Sequence, residues 1–168
     1  MDDDVQRLLQ ERHFSEAFER LLDRYEQRVF RFARSITRND ARAEDVTQDV
    51  FLKLWKALPA YDGRASLSTW LYAIARNTAV SAYRTAARDA SAIGDREVAA
   101  PEPASEPPDV MGLVSGLPDV QREVITLFYL NERRIADVAR ILQMPEGTVK
   151  SHLHRGRRAL ATRLKGES

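Results

Sequence analysis

The sequence predicts an all-α protein: two small helical domains joined by a flexible acidic Pro/Ala-rich linker, the C-terminal one a helix-turn-helix. Three observations predict it. Apolar residues recur at helical spacing over three long stretches before residue 89, with no convincing strand. Between Asp89 and Asp109 the chain gathers Pro101, Pro103, Pro107 and Pro108, four of its seven prolines, among Ala, Ser and acids. Beyond that break come shorter helical patterns, the last of them strongly basic. The expected division is 1–13 as an N-terminal tail or short helix, 14–88 as the first domain, 89–109 as the linker and 110–168 as the second domain.

In chain order, the first long helix takes Ser15 as its candidate N-cap. It aligns Phe14, Phe18, Leu21, Leu22, Tyr25, Val29, Phe32, Ala33 and Ile36 on one stripe. Thr37 to Asp40 interrupts it. A second helix carries Val46, Val50, Phe51, Leu54, Trp55 and Leu58 and stops at Pro59, whose ring cannot continue a helix. Ala60 to Ser66 reads as a loop, and a third helix follows from about Ser68 with Leu71, Ile74, Ala75, Thr78 and Ala82 on one face. These three make a small bundle. After the linker, Val110 to Val114 makes a turn or two. Pro118 opens a helix to about Leu130 with Val120, Val124, Leu127 and Phe128 inward. Then come a helix over Arg134 to Leu142, a turn over Met144 to Gly147, and a final helix from about Thr148 to Leu164.

Composition narrows the class. There is no cysteine among the 168 residues, so neither a disulfide framework nor a thiolate metal site exists. The start, Met1-Asp2-Asp3-Asp4, is acidic where a secretory signal needs a basic stretch followed by an apolar one. The longest charge-free run, Ala65 to Ala75, is far short of the roughly 20 apolar residues that span a bilayer. No membrane insertion and a cytoplasmic location are therefore expected. The net charge of +1 hides a segregation. Asp89, Asp95, Glu97, Glu102, Glu106 and Asp109 face only Arg96 in the linker, whereas Arg64 to Arg88 contains four arginines and no acid. Gly147 to Lys165 contains six basic residues and no acid.

The last two helices carry the most information. Two helices joined by about four residues, the second basic, are the pattern of a DNA-binding helix-turn-helix. Ala139 is small where the helices approach, Val138 and Leu142 face the core, and Val149 with Leu153 anchors the second helix. Thr148 is its candidate cap, leaving Lys150, Ser151, His154, Arg155 and Arg158 outward. Such a row suits a phosphate backbone, because each neutralised phosphate releases counterions and the helix N-terminus adds partial positive charge. The first turn position, usually glycine, is Gln143; a left-handed conformation there costs on the order of 1 kcal/mol.

With those residues in place, the chain resembles a bacterial RNA polymerase sigma factor of the extracytoplasmic-function type. Three blocks carry the resemblance: Asp40 to Trp55, similar to the family's core-polymerase-binding helix; Ser68 to Asn77, similar to its promoter-melting helix; and Leu117 through Ser151 with His154 and Arg155, similar to its C-terminal helix-turn-helix. The resemblance implies that Asp45, Gln48, Asp49 and Leu52, supported by Phe51, dock on the clamp helices of the largest polymerase subunit, with a further contact at the flap region. It implies that the loop from Tyr61 to Ser68, with Arg64, Trp70, Tyr72, Arg76, Asn77 and Arg84, recognises and melts the minus-10 element. An unstacked base needs a pocket, an aromatic wall and nearby cations, and these are the residue types present. Thr148, Lys150, Ser151, His154, Arg155 and Arg158 are implied to contact the minus-35 element. His152 stands where the family often has arginine, and Arg133 with Arg134 replaces its usual apolar-Ser pair. An anti-sigma factor is the further partner implied; no cofactor and no metal is.

The two promoter elements lie about 17 base pairs apart, roughly 58 Å at about 3.4 Å per step. A linker of about 20 residues reaches at most roughly 66 Å but averages about 25 Å as a coil, so it permits that spacing without imposing it. Its acids suit a basic channel of the polymerase. Two other readings compete. An enzyme would need a constellation, and His13, His152 and His154 form no HExxH; no GxSxG, Walker-type loop or GxGxxG occurs either. A stand-alone helix-turn-helix regulator with a ligand- or protein-binding N-terminal domain has no use for the block from Asp40 to Trp55.

Overall fold

The computed structural model describes residues 2–93 and 110–166, and every regular element among them is helical. The linker expected over 89–109 lies outside these residues except for its first five, which continue a helix. The N-terminal part is made of α1 (Asp3–Gln10), α2 (Phe14–Thr37), α3 (Asp40–Ala57), a short 3₁₀ turn over Leu58–Ala60, and α4 (Leu67–Ile93). The C-terminal part is made of α5 (Val110–Ser115), α6 (Asp119–Ile125), a π turn over Thr126–Leu130, α7 (Ile135–Leu142) and α8 (Glu146–Gly166).

Helices α2, α3 and α4 pack mutually around Leu21, Val29, Phe32, Val50, Leu54, Leu71 and Tyr72, all essentially without solvent contact. The stripe on α2 explains this, because residues three and four apart share one face and must find an apolar partner. Arg38 takes a left-handed conformation (φ 57°) to end α2. Asn39 then caps α3, its side-chain oxygen accepting from the Arg42 N–H at 2.9 Å. Helix α1, with Asp2 as its N-cap, is docked rather than a loose tail. Val5 is buried against α2, and Asp4 pairs with Arg20 at 2.7 Å and with Arg24 at 2.5 Å. Those two guanidiniums hold the Asp4 carboxyl far below the usual carboxylate range.

Several sequence expectations need correction. Helix α2 begins at Phe14 with His13 as its unassisted cap, so Ser15 is not the N-cap; the turn after α1, with Arg12 at φ 62°, delivers the chain into the helix one residue sooner. Helix α4 runs to Ile93, five residues past the expected end of the domain. Val120 is exposed rather than inward, because α6 and the π turn after it direct Val124, Ile125 and Leu127 to the core. Thr148 does not cap α8. The helix starts at Glu146, and the Pro145 carbonyl accepts from the N–H groups of Thr148 (3.0 Å) and Val149 (3.1 Å).

The C-terminal core joins Val124, Leu127, Val138, Ile141, Val149 and Leu153. Helix α8 crosses α6 closely enough that a Cβ at Gly156 would stand 2.8 Å from Ile125 Cγ1. Gln143 does end α7 in the left-handed conformation, at φ 54° and ψ 51°. The Met144 N–H reaches back to the Ala139 carbonyl at 3.0 Å and closes the turn of the helix-turn-helix.

Candidate partner and nucleic-acid interfaces

On α3, Asp45, Gln48, Asp49 and Leu52 are spaced to fall along one side of the helix, and all four side chains are exposed. Leu52, at 58% exposure, is the most exposed large apolar residue of the described chain. Phe51 is buried behind this side, with the edge of Phe18 6.2 Å away between ring centres; Phe18 also meets the half-open Trp55 at 5.4 Å. A shallow apolar groove runs between α2 and α3, lined by Phe18, Leu22, Thr47, Phe51 and Leu52. Carboxylates beside an uncovered apolar strip are suited to a partner that offers both cations and aliphatic surface.

The loop before α4 is built by its own polar groups. Asp62 accepts from the Arg64 N–H at 3.0 Å, Gly63 takes φ 78°, and the Tyr61 hydroxyl donates to the Ala65 carbonyl. Ser66 then caps α4, its hydroxyl oxygen accepting from the Thr69 N–H at 3.2 Å. The rings of Tyr61 and Trp70 lie 5.0 Å apart, both half-buried, and form an aromatic wall at the mouth of the loop. Arg64, Asn77 and Arg84 are exposed along the loop and helix.

Ser68, Tyr72 and Arg76 differ, because the C-terminal domain sits on them. Tyr72 has no exposed surface. Its ring stands edge-on to Tyr25 and Phe32, and its hydroxyl donates to Asn131 Oδ1 at 2.9 Å. Burial pushes the phenol up to about 12, against the opposing pull of Arg133 and Arg28. Tyr72 is therefore a packed residue here and not an available base contact, contrary to the sequence expectation. The guanidinium of Arg133 lies 5.3 Å from the centre of the Tyr72 ring and donates to Ser68 Oγ at 2.5 Å. Arg76 Nε is 3.5 Å from Glu123 Oε2 but makes no well-formed hydrogen bond. Burial raises the Glu123 carboxyl and Arg76 pulls it back down.

Sequence reasoning missed Glu123 and Asn131. Asn131 is held by the π turn, since its backbone N–H and its Nδ2 both donate to the Thr126 carbonyl, at 3.0 and 3.1 Å. The unusual arginine at 133 was the available signal, and it points to the N-terminal domain rather than to DNA.

Helix α8 presents Thr148, Lys150, Ser151, His154, Arg155 and Arg158 to solvent, while Val149, Leu153 and Gly156 face the core. Two of the basic residues there have structural roles. Arg157 lies over Phe128 and Tyr129 at 5.8 and 5.4 Å, and Arg163 donates to the carbonyls of Leu113 (3.1 Å) and Gly116 (2.6 Å). His152 is half-buried, with Nδ1 unpartnered, and does not stand in the outward row. No cluster of three or more His, Asp or Glu among the described residues is placed to hold a metal ion. None of the helices there is long and apolar enough to cross a membrane.

A compact helical domain with a basic melting-type helix, followed by a helix-turn-helix, defines the sigma-70 class of transcription factor. Residues 21–89 match Sigma-70 region 2 and residues 109–160 match Sigma-70 region 4. The ECF RNA polymerase sigma factor SigW of Bacillus subtilis is 30% identical over 89% of this chain and 90% of its own length. The sigma-E factor of Haemophilus influenzae is 32% identical over 88% of this chain and 87% of its own. Among solved structures, CnrH in complex with the cytosolic domain of CnrY superposes with a TM-score of 0.73 at 25% identity, covering 98% of this chain and 99% of that one. RpoE in complex with the anti-sigma factor NepR, from Bartonella quintana, gives 0.73 at 26% identity over 88% and 96%. The chain belongs to the extracytoplasmic-function RNA polymerase sigma factors, proteins that direct transcription initiation.

Proposed function

We propose a division of that work among three faces. The α3 face of Asp45, Gln48, Asp49 and Leu52, backed by Phe51, docks on the clamp helices of the largest subunit of core RNA polymerase, with the C-terminal domain near the flap region. The loop from Tyr61 to Ser68, with Arg64, Trp70, Arg76, Asn77 and Arg84, captures the minus-10 element as it opens; the Tyr61–Trp70 wall suits an unstacked base and the arginines suit phosphates. Helix α8 enters the major groove at the minus-35 element. There Lys150, Ser151, His154 and Arg155 reach base edges, while Thr148 and Arg158 contact the backbone.

The observation that carries this reading is the contrast between two uncovered helix faces, acidic and apolar on α3 and basic on α8. The acidic segment between the domains is assigned to a basic channel of the polymerase. An anti-sigma factor is the expected regulatory partner, supported by the two solved relatives bound to such proteins or to a cytosolic partner domain. The protein is expected to act in the cytoplasm and to have no catalytic activity of its own. Purified chain added to core RNA polymerase and a promoter library tests the reading: it should bind core and select promoters. No core binding, or no directed initiation, would sink it.

A further inference from the structure

Helix α2 carries a feature that none of the three faces uses. Arg20, Arg24, Arg28, Arg31 and Arg34, with Arg38 at its C-cap, follow one another at spacings of four, four, three, three and four residues, so all six lie along one side of the helix. From Arg24 to Arg38 the only acid in the sequence is Glu26, which lines the groove toward α3 instead. Both ends of the stripe are filled by carboxylates. Arg24 forks the two oxygens of Asp4 at 2.9 and 2.5 Å, Asp4 also accepts from Arg20 at 2.7 Å, and Asp2 accepts from Arg24 at 3.1 Å. At the other end Arg34 pairs with Asp40 at 2.7 Å, and Arg38 lies 3.6 Å from Asp119. In the middle, Arg28 and Arg31 are exposed and pair with no carboxylate among the described residues.

The stripe begins beside the loop that precedes α4. Asp2, bonded to Arg24, also accepts from the Tyr25 hydroxyl at 2.8 Å. Burial pushes the Tyr61 phenol up, and the charges of Asp62 and Asp2 add to that push. Arg28 lies by the Tyr72 hydroxyl and, with Arg133, pulls that phenol down against its burial. We propose that the arginine stripe of α2 is a further nucleic-acid surface, a track for the phosphates of the unpaired strand that leaves the Tyr61–Trp70 wall, with Asp2 and Asp4 seated in two phosphate positions while the strand is absent. The inference rests on the minus-10 reading made above. A guanidinium fork takes phosphate as it takes carboxylate, and Asp4, held between two guanidiniums, shows that this end of the stripe is already shaped for an anion. A row of cations beside stacking aromatics is what a single strand of any sequence needs, whereas an acidic protein partner has no use for the aromatic wall. From Arg24 to Arg38 the track is about 21 Å long at about 1.5 Å per residue, enough for the shortest single-strand sites of about 4 nucleotides.

Two fork-junction probes test the track on the holoenzyme formed with core RNA polymerase. In the short probe the single-stranded non-template tail ends with the minus-10 element; in the long probe it continues for about 8 thymidines, roughly twice the shortest site. The wild-type holoenzyme should hold the long probe severalfold more tightly. The double variant Arg28→Gln, Arg31→Gln should lose most of that gain, and its salt slope on the long probe should fall by about 1.4, at about 0.7 for each lost phosphate contact. The control Arg12→Gln, Arg42→Gln removes the same charge from exposed positions off the stripe and should keep the gain. A gain that survives in the stripe variant, or is lost equally in the control, overturns the track, and so does a wild-type holoenzyme indifferent to the longer tail. A wild-type holoenzyme that holds neither probe overturns the minus-10 reading instead, and the track with it. Arg31→Gln alone leaves Arg28 beside Tyr72 and should lower the slope by about 0.7, so the test stands even where the double variant misfolds.

The double variant Asp2→Asn, Asp4→Asn reads the other end of the stripe. Freeing Arg20 and Arg24 should raise affinity of the holoenzyme for the long probe severalfold, whereas a general loss of negative charge would raise both probes alike. A rise confined to the long probe supports the seated carboxylates. An equal rise on both probes, no change or a fall overturns that part of the inference.

Discussion

Helices α3 and α4 both carry a proposed binding face, lie side by side in one bundle and are treated in opposite ways. The α3 face is bare, with Leu52 at 58% exposure, whereas the first turns of α4 are roofed and Tyr72 has no exposure at all. The α4 residues are also tied down more heavily, by two aromatic rings, one asparagine and one arginine. The difference teaches that a shared motif does not entail a shared accessibility.

The comparison breaks most sharply at Tyr72 and Leu52. Tyr72→Ala should cost about 3–5 kcal/mol of folding stability in chemical denaturation, because a fully buried aromatic leaves a cavity. Leu52→Ala should leave stability within about 0.5 kcal/mol, as exposed positions do. The same Leu52 change should nonetheless weaken binding to core polymerase by about 2 kcal/mol, roughly thirtyfold, if this side chain is an interface anchor. Equal effects of the two variants on stability would abolish the distinction.

Gly156→Ala sharpens the comparison from the other domain. A Cβ there meets Ile125 Cγ1 at 2.8 Å, so α8 must shift away from α6. The expected loss is about 1–3 kcal/mol of thermal stability, with weaker minus-35 binding and unchanged affinity for core. Tyr72→Phe comes next. It removes the hydroxyl that donates to Asn131 and should cost about 1 kcal/mol, far less than the alanine variant, since the ring packing survives.

The smallest effect concerns α1. The Asp4 carboxyl is held low by Arg24 and Arg20, so its stabilising pairing is complete above the ordinary value of 3.8 and is lost as pH falls further below it. Amide exchange across α1 should therefore quicken as the solution is acidified below that value. In Asp4→Asn that portion of the pH dependence should vanish.

Much of the fold was legible because its causes are local. The helical stripes of α2 and α3, the interruption at Thr37 to Asp40, the strained Gln143 and the buried anchors Val149 and Leu153 all follow from spacing and from turn chemistry. The helix starts were misjudged at Ser15 and Thr148, where the preceding turn and Pro145 set the first hydrogen bonds. The α8 face was legible for the same local reason, since exposed polar residues at helical spacing need no distant partner, whereas the α3 face was picked out by the resemblance. The burial of Tyr72 was not legible, because its neighbours Phe32 and Asn131 are respectively 40 and 59 residues away in sequence.

The sequence by itself determined most of the helical segments, because periodicity and turn chemistry act over a few residues, and its three motifs in order carried the resemblance to the sigma factors. Only the tertiary structure decided that Arg157 and Arg163 brace their own domain, that residues 2–10 dock on α2, and that the first turns of α4 are covered. Those outcomes depend on pairings across tens of residues, where loop closure and competing partners, rather than local preference, select the contact.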